Sequence, residues 1–213
     1  MSLVEVDARY VPRALCRAHT RRRGDTHPTW AWKRRDALGC ADCARLGGDR
    51  IDDRTAYIGR RGQYAGDAGP LPLFDARGRI VGLEDARGAL RAARGDDVTY
   101  HRLIVSLDAR SPIATPAAAR TWAAYVLGDL AAYLDARPVV AAAVHLDSGN
   151  AHMHALIGGV AARDDHRVPV EIRRPHLEML RTKGAERARQ VAQGIRGGER
   201  ERQGGDIGGR VTR

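Results

Sequence analysis

Two apolar segments that flank a short polar turn place the strongest constraint on how this chain folds. Residues 139–145 and 152–160 are each an apolar run of strand length, and the turn-forming sequence Ser-Gly-Asn occupies residues 148–150. Segments of this kind pair as an antiparallel hairpin. Residues 100–107 read as a third strand with a β-branched centre, so we expect the hairpin and this strand at the centre of a sheet.

Two outer strands complete the predicted sheet. Apolar and polar residues alternate from residue 3 to residue 11, which is the pattern of a half-buried strand. Residues 168–172 form a short strand that Pro169 places at a sheet edge, because proline cannot donate a hydrogen bond to a further strand. Gly and Pro punctuate residues 62–88, where we expect mostly loop with one hairpin-like turn at residues 75–78.

Helices are predicted where capping residues precede a periodic apolar pattern. Thr115-Pro116 offers a capping hydroxyl and a proline at the first helical position. Asp52-Asp53 is expected to cap a short helix that runs toward residue 62, and a final helix is expected over about 175–193. The predicted class is α/β, of the α+β type, with a central antiparallel sheet of about five strands and helices packed on one side.

The charge of the chain indicates an anionic partner. It carries 36 Lys and Arg residues against 26 Asp and Glu residues, a net charge of +10, and Lys33 and Lys183 are its only lysines. The arginine fork fits phosphate oxygens, which favours nucleic acid. Codon usage in a GC-rich genome explains the preference for arginine over lysine equally well, but it does not explain the net charge.

Composition also bears on location. The sequence has no apolar run that approaches the ~20 residues needed to span a bilayer. Its first residues lack the basic and apolar regions of a secretory signal. The three cysteines, an odd number, do not suggest a disulfide framework. We therefore expect a cytoplasmic protein with no membrane insertion.

Three histidines in strand spacing lie around the predicted turn. His152 and His154 are two residues apart and project to the same face of a strand. Pairing across the turn brings His145 alongside them, and three imidazole ligands leave open positions for a phosphate oxygen on one metal ion. Asp147 and Asn150 can orient the imidazoles by hydrogen bonds. The alternative is a chance group of polar residues near a turn.

These histidines carry a resemblance to a known family. The pattern His-x-Asp-x-x-Asn-x-His-x-His over 145–154, followed by an apolar strand, resembles the metal motif of plasmid and conjugative-element relaxases. Relaxases belong to the nucleases named for a histidine–hydrophobic–histidine strand. Residues 56–60 are similar to the family's nucleophile helix and residues 101–107 to its central strand. The resemblance, over about residues 3–190, implies a nuclease domain spanning 1–193 with a divalent ion, Mg²⁺ or Mn²⁺, at the histidines.

The resemblance further implies tyrosine transesterification. Tyr57 would attack a DNA phosphorus and form a 5′-phosphotyrosine with a free 3′ hydroxyl, and the reverse reaction would rejoin the ends. Tyr64 is the second candidate for the nucleophile. The alternative for Tyr57 is a buried helix aromatic that packs with Ile51 and Ile58. For Tyr100, Tyr125 and Tyr133, packing is the better interpretation.

Four further residues are candidates for DNA contacts. The resemblance implies that Ser106 contacts DNA near the cut, although a serine on a strand is more often a filler. Arg54, Arg60 and Arg61 flank Tyr57 in the sequence and can bind phosphates. A solvated basic helix face is an equally good interpretation of these arginines.

A cysteine-containing segment and a polar tail lie outside the relaxase pattern. Cys16-x-x-His19 and Cys40-x-x-Cys43 have the spacing of a structural zinc site, which predicts a zinc-binding insertion at 15–45. The alternative is three free cysteines with a nearby histidine. The last 20 residues, 194–213, are rich in Gly, Arg and Glu and are expected to be disordered.

The predicted function is strand-specific nicking and rejoining of DNA that initiates mobilisation of a plasmid or integrative element. The expected substrate is single-stranded DNA at a transfer origin, with an adjacent duplex hairpin, and accessory mobilisation proteins are possible partners. The nearest alternatives are a rolling-circle replication initiator and a single-strand transposase. Two other classes stay open, a non-catalytic zinc-containing DNA-binding protein and a metallohydrolase that acts on a small substrate.

Overall fold

An antiparallel sheet forms the centre of the fold. The computed structural model describes residues 4–12, 41–59, 71–96, 98–108, 111, 113, 115–146 and 150–205. Its strands are β1 (Val4–Pro12), β2 (Leu73–Phe74), β3 (Ile80–Val81), β4 (Val98–Leu107), β5 (Arg137–His145), β6 (His152–Arg163) and β7 (His166–Pro169). They lie in the order β1-β4-β6-β5-β2-β3, and β7 pairs with β6. The predicted α+β class is confirmed, and the five predicted strands correspond to β1, β4, β5, β6 and β7.

Helices cover both faces of this sheet. The described helices are α1 (Ala41–Ile58), α2 (Leu83–Ala92), α3 (Pro116–Leu134) and α4 (Arg174–Gly205). On one face, Trp122 of α3 is fully buried, and its Nε1–H donates to the Gly184 carbonyl of α4 at 3.0 Å. On the other face, Ile51 and Ile58 of α1 pack with Leu90 of α2. The expectation that helices lie on one side of the sheet was therefore wrong.

Alternation along the two central strands explains the second helical layer. Ala142 and Ala155 belong to the core under α3 and α4, whereas Ala141 and Leu156 belong to the core under α1 and α2. Successive side chains of a strand point to opposite faces, so β5 and β6 are apolar on both sides and need cover on both. Part of that cover is α2, which lies in the Gly-rich region where the sequence predicted mostly loop.

Helix α1 begins earlier than predicted. Because it starts at Ala41, Asp52 and Asp53 lie inside the helix and not at its N-terminal cap. The Asp52 carboxylate pairs with Arg91 of α2, and Arg87 of α2 donates to the Asp52 carbonyl at 3.3 Å. The acidic residue that we interpreted as a cap therefore ties α1 to α2 through a tertiary contact, which no local pattern reveals.

Two predictions from local sequence chemistry are confirmed. At the start of α3, the Thr115 hydroxyl accepts a hydrogen bond from the Ala118 N–H at 3.2 Å. The predicted turn at residues 75–78 joins β2 to β3, and Gly78 adopts a φ of 77° there, which glycine tolerates without strain. In both cases the interacting residues are three positions apart in the sequence, so local sequence chemistry is enough to predict the feature.

Helix α4 extends further than the sequence predicts. It continues to Gly205, past the expected end near residue 193 and into the segment expected to be disordered. Residues 206–213 lie outside the described residues. Within the part of the chain that the structure covers, none of the helices combines the length and the apolar character needed to cross a membrane.

Gly158 and Gly159 of β6 have no side chains, which allows the segment that joins α2 to β4 to lie directly against this strand. This close contact generates a stability prediction. A Cβ on Gly159 would overlap the Val98 carbonyl oxygen and lie 2.7 Å from the Gly95 nitrogen. We expect Gly159→Ala to lower the free energy of unfolding in urea by about 1–3 kcal/mol, because backbone has to move. The matched control is Gly88→Ala on the exposed side of α2, where a Cβ meets nothing within 4 Å. It should raise stability by up to about 1 kcal/mol, and equal effects of the two changes would contradict the prediction.

Buried His101 of β4 generates a prediction on pH. It is 4% exposed, and its Nε2–H donates to the Val170 carbonyl at 2.8 Å. Burial lowers the pKa of His101 below its ordinary value of 6.5. The unfolded chain takes up a proton near pH 6.5 and the folded chain does not, so stability is lost as the pH falls below that value. The melting temperature, measured between about pH 5 and 8, should depend less on pH for His101→Gln than for the wild type. An equal dependence on pH in the two proteins would count against this assignment.

Candidate metal centre

The hairpin of β5 and β6 brings the three predicted histidines together. His145 and His152 are direct cross-strand partners, and His154 lies two residues along β6 on the same face. The ring centroids are 5.2 Å apart for His145 and His152, 4.8 Å for His145 and His154, and 5.1 Å for His152 and His154. All three rings are partly buried. The predicted cross-strand geometry of the cluster is therefore present.

Backbone carbonyls fix the tautomers of two of these rings. Nε2 of His145 lies 3.1 Å from the Ile58 carbonyl oxygen, and Nδ1 of His152 lies 3.1 Å from the Asn150 carbonyl oxygen. A carbonyl only accepts hydrogen bonds, so each of these nitrogens carries a hydrogen, and the opposite ring nitrogen is the one that could bind a metal ion. The described contact of Asn150 with His152 runs through its main-chain carbonyl, so a role for the asparagine side chain stays a prediction. Asp147 lies outside the described residues.

The arrangement fits a divalent cation. One ligand atom from each histidine lies within 4.8 Å of the others. Imidazole nitrogens bound at about 2.1 Å to a shared ion are at most about 4.2 Å apart, so small ring rotations complete the fit. Among the residues whose side chains are described, these three histidines can hold a metal ion.

Helix α1 carries Tyr57 to the edge of this cluster. The ring centroid of Tyr57 lies 6.4 Å from that of His154, with the rings edge to face. Tyr57 is 48% exposed, whereas Ile51 and Ile58 on the same helix are buried. The alternative of a buried helix aromatic is therefore excluded, because the isoleucines fill the core and the phenol points away from it.

Two of the predicted DNA-contact residues lie near Tyr57 or the histidines. The guanidinium carbon of Arg54 lies 5.9 Å from the centroid of the Tyr57 ring. Ser106 of β4 is the cross-strand partner of His152 and is partly buried. Tyr57 of α1, Ser106 of β4 and the three histidines of β5 and β6 therefore lie at the same end of the sheet.

Other predicted site residues fall on parts of the chain that are not described. These are Arg60 and Arg61, which follow α1 in the sequence, the second candidate nucleophile Tyr64, and the zinc candidates Cys16, His19 and Cys40. Cys43 lies on α1, but its side chain is not among those described. The zinc insertion and the choice between the two tyrosines stay predictions.

The sequence interpretation missed the arginines that act on buried Tyr100. Tyr100 of β4 is 2% exposed, in agreement with its interpretation as a packing residue, and Arg54, Arg50 and Arg102 act on its phenol electrostatically. Burial raises the pKa of the Tyr100 phenol above 10, and the three arginines oppose that shift. Alternation along β4 was the available signal, because it places Tyr100 and Arg102 on the same face as Ser106.

Comparisons with protein-family models, with curated proteins and with solved structures find no match for this chain. The interpretation of the site therefore depends on its own chemistry. Three imidazoles that could hold a metal ion lie at one end of the sheet, with the exposed phenol of Tyr57 beside them.

The cluster predicts a specific pattern of metal binding. We expect His154→Ala to weaken binding of Mn²⁺ or Zn²⁺ by at least the ~10–100-fold that loss of a supporting partner costs. Affinity should also fall as the pH drops below about 6.5, because the imidazoles must be neutral to bind. Isothermal titration calorimetry measures both effects. His166→Ala, on an exposed residue of β7, is the control, and equal loss in both variants would argue against the site.

Proposed function

We propose that this chain is a metal-dependent, strand-specific DNA-nicking and rejoining enzyme in which Tyr57 is the nucleophile. The observation that supports this most directly is the exposed Tyr57 ring 6.4 Å from the ring of His154, beside the three-histidine cluster. What distinguishes Tyr57 from the equally exposed Tyr125 and Tyr133 is its position beside the histidines. The resemblance of the histidine motif to relaxases points in the same direction.

The proposed reaction exchanges one ester for another. The Tyr57 oxygen forms a bond to the scissile phosphorus while the bond from phosphorus to the 3′ oxygen breaks. The phenol loses its proton and the departing 3′ oxygen gains one, so that no proton is consumed overall. The product is a 5′-phosphotyrosine with a free 3′ hydroxyl, and attack by a 3′ hydroxyl on that ester reverses the reaction.

The three imidazoles serve this chemistry by binding a cation next to the phenol. A divalent ion held there would polarise the scissile phosphate and favour the phenolate, whose parent phenol has a pKa of about 10. Mg²⁺ prefers oxygen ligands, whereas Mn²⁺ and Zn²⁺ accept imidazole, so of the two ions expected from the sequence we favour Mn²⁺. A structural Zn²⁺ at Cys16, His19, Cys40 and Cys43 is a separate part of the proposal.

Charge and side-chain type favour single-stranded DNA as the substrate. The guanidinium carbon of Arg54 lies 5.9 Å from the centre of the Tyr57 ring, and guanidinium groups bind phosphate through two parallel hydrogen bonds. Ser106 offers a further donor across the strand from His152. The net charge of +10 adds an affinity for the backbone that depends on salt. In this proposal the substrate is one strand at a transfer origin, and accessory mobilisation proteins assist.

Covalent capture tests the proposed function. With labelled single-stranded DNA and Mn²⁺, the protein should form an adduct that survives denaturation, and Tyr57→Phe should reduce it to background. Tyr133→Phe, on an exposed residue of α3 on the other side of the sheet, should form the adduct at the normal rate. A chelator should block adduct formation in every variant.

Other outcomes discriminate between the alternative functions. DNA binding without any adduct would favour a non-catalytic DNA-binding protein, and an adduct that persists in Tyr57→Phe would assign the nucleophile to another tyrosine such as Tyr64. A rolling-circle initiator or a single-strand transposase would form the same adduct on a different DNA site. Failure to bind DNA at low salt would contradict the proposal altogether.

A further inference from the structure

A hydrogen bond joins the histidine cluster to the backbone beside Tyr57. Nε2–H of His145 donates to the Ile58 carbonyl at 3.1 Å, and Ile58 directly follows Tyr57 in the chain. We infer that His145 is a positioning residue for Tyr57, through which a divalent cation bound at the three histidines holds the last turn of α1 against the sheet. The inference rests on the proposed function for the role of Tyr57 as nucleophile. The coupling between cation and helix can be measured without DNA.

The end of α1 has carbonyl groups that need partners from elsewhere. A helix leaves its last four carbonyls without a hydrogen-bond donor inside the helix. Helix α1 ends at Ile58, whose carbonyl accepts from His145 of β5. The next carbonyl, that of Gly59, accepts from the Leu71 N–H at 3.1 Å. The bond to His145 therefore ties the helix end to the sheet at the residue next to Tyr57.

The position of the Tyr57 phenol depends on this stretch of backbone. Its ring is 48% exposed, so burial in the core does not fix it. The buried side chains of Ile51 and Ile58 fix the side of α1 that faces the sheet. The ion pair of Asp52 with Arg91 holds the helix more than one turn before Tyr57. The bond to the Ile58 carbonyl acts at the neighbouring residue, where a small shift of the backbone moves the phenol.

One imidazole ring can carry the effect of a cation to the helix. Because Nε2–H of His145 donates to the carbonyl, Nδ1 is the nitrogen that could bind the cation. Coordination at Nδ1 makes the N–H a stronger donor, and the carbonyl in return makes the imidazole a better ligand. The carbonyl end of a helix also carries partial negative charge, which favours a cation nearby. By linkage, whatever the docked helix adds to cation affinity, the cation adds to docking of the helix.

Four variants separate the hydrogen bond from the metal ligand. His145→Ala removes both. His145→Gln can place an amide N–H where Nε2 lies but lacks the ligand nitrogen, whereas the carboxylate of His145→Asp can bind Mn²⁺ but cannot donate to a carbonyl. His152→Ala is the matched control, because Nδ1 of His152 donates to the Asn150 carbonyl within the β5–β6 hairpin. It removes a candidate ligand and keeps the bond from His145 to Ile58.

Amide hydrogen exchange of the full chain, followed by mass spectrometry, tests the inference. After dialysis against a chelator, we expect residues 55–59 of His145→Ala to exchange about three- to tenfold faster than in the wild type, the scale of one hydrogen bond. His145→Gln and His152→Ala should exchange there at the wild-type rate. Exchange in α3, on the other side of the sheet, reports whether each variant keeps its fold. Equal exchange of residues 55–59 in His145→Ala and His152→Ala would overturn the inference.

Addition of Mn²⁺ tests the coupling itself. At a concentration that saturates each protein by calorimetry, Mn²⁺ should slow exchange of residues 55–59 at least threefold in the wild type. In His145→Asp it should slow exchange in the hairpin of β5 and β6 but not in residues 55–59. Equal slowing of residues 55–59 in the two proteins would overturn the coupling, and so would a wild type that binds Mn²⁺ without slowing there. Absence of Mn²⁺ binding to the wild type would overturn it as well.

The outcome for the nicking reaction is separate. If Mn²⁺ slows exchange at the end of α1 as expected but the protein forms no adduct with DNA, the nicking proposal fails and the coupling stands. If an adduct forms while Mn²⁺ leaves residues 55–59 unchanged, the nucleophile is positioned in another way and the role assigned to His145 is rejected. Should His145→Ala fail to fold, the comparison of the wild type with His145→Asp decides.

Discussion

The register of the β5–β6 hairpin is the constraint on which the candidate site depends. His145 pairs directly with His152, and Ala143 pairs with His154, so the three imidazoles share one face. Because side chains alternate along a strand, a slip of one residue would turn the histidines of one strand into the opposite core. Met153 and Ala155, fully buried on that opposite face, resist such a slip. Hydrophobic burial on one side of the hairpin thus stabilises a polar cluster on the other.

Helix α1 connects this cluster to the exposed phenol of Tyr57. Its Ile58 carbonyl accepts the hydrogen bond from His145, and its isoleucines pack on the sheet beside Leu156. Helix α2 in turn holds α1 through the ion pair between Arg91 and Asp52. The second helical layer is therefore more than cover for apolar strands, because it determines where Tyr57 lies relative to the histidines.

Local patterns accounted for much of the fold and failed where tertiary contacts dominate. The hairpin, strand β4 and the cap of α3 follow from alternation and from Thr115-Pro116, which act over a few residues. The start of α1 was misplaced, because Asp52 was interpreted as a cap when it serves as a partner for a distant arginine. Helix α2 was missed, since glycines within 62–88 obscured the buried spacing of Ala86 and Leu90.

The sequence by itself determined that three histidines share a face, because a two-residue period and a turn of known position leave little freedom. It also identified Tyr57 as a candidate nucleophile through resemblance alone. Only the tertiary structure decided that Tyr57 lies beside His154 and that the Ile58 carbonyl accepts a hydrogen bond from His145. Those neighbours are separated by tens of residues in the chain, and packing of α1 against the sheet, a non-local hydrophobic interaction, brings them together.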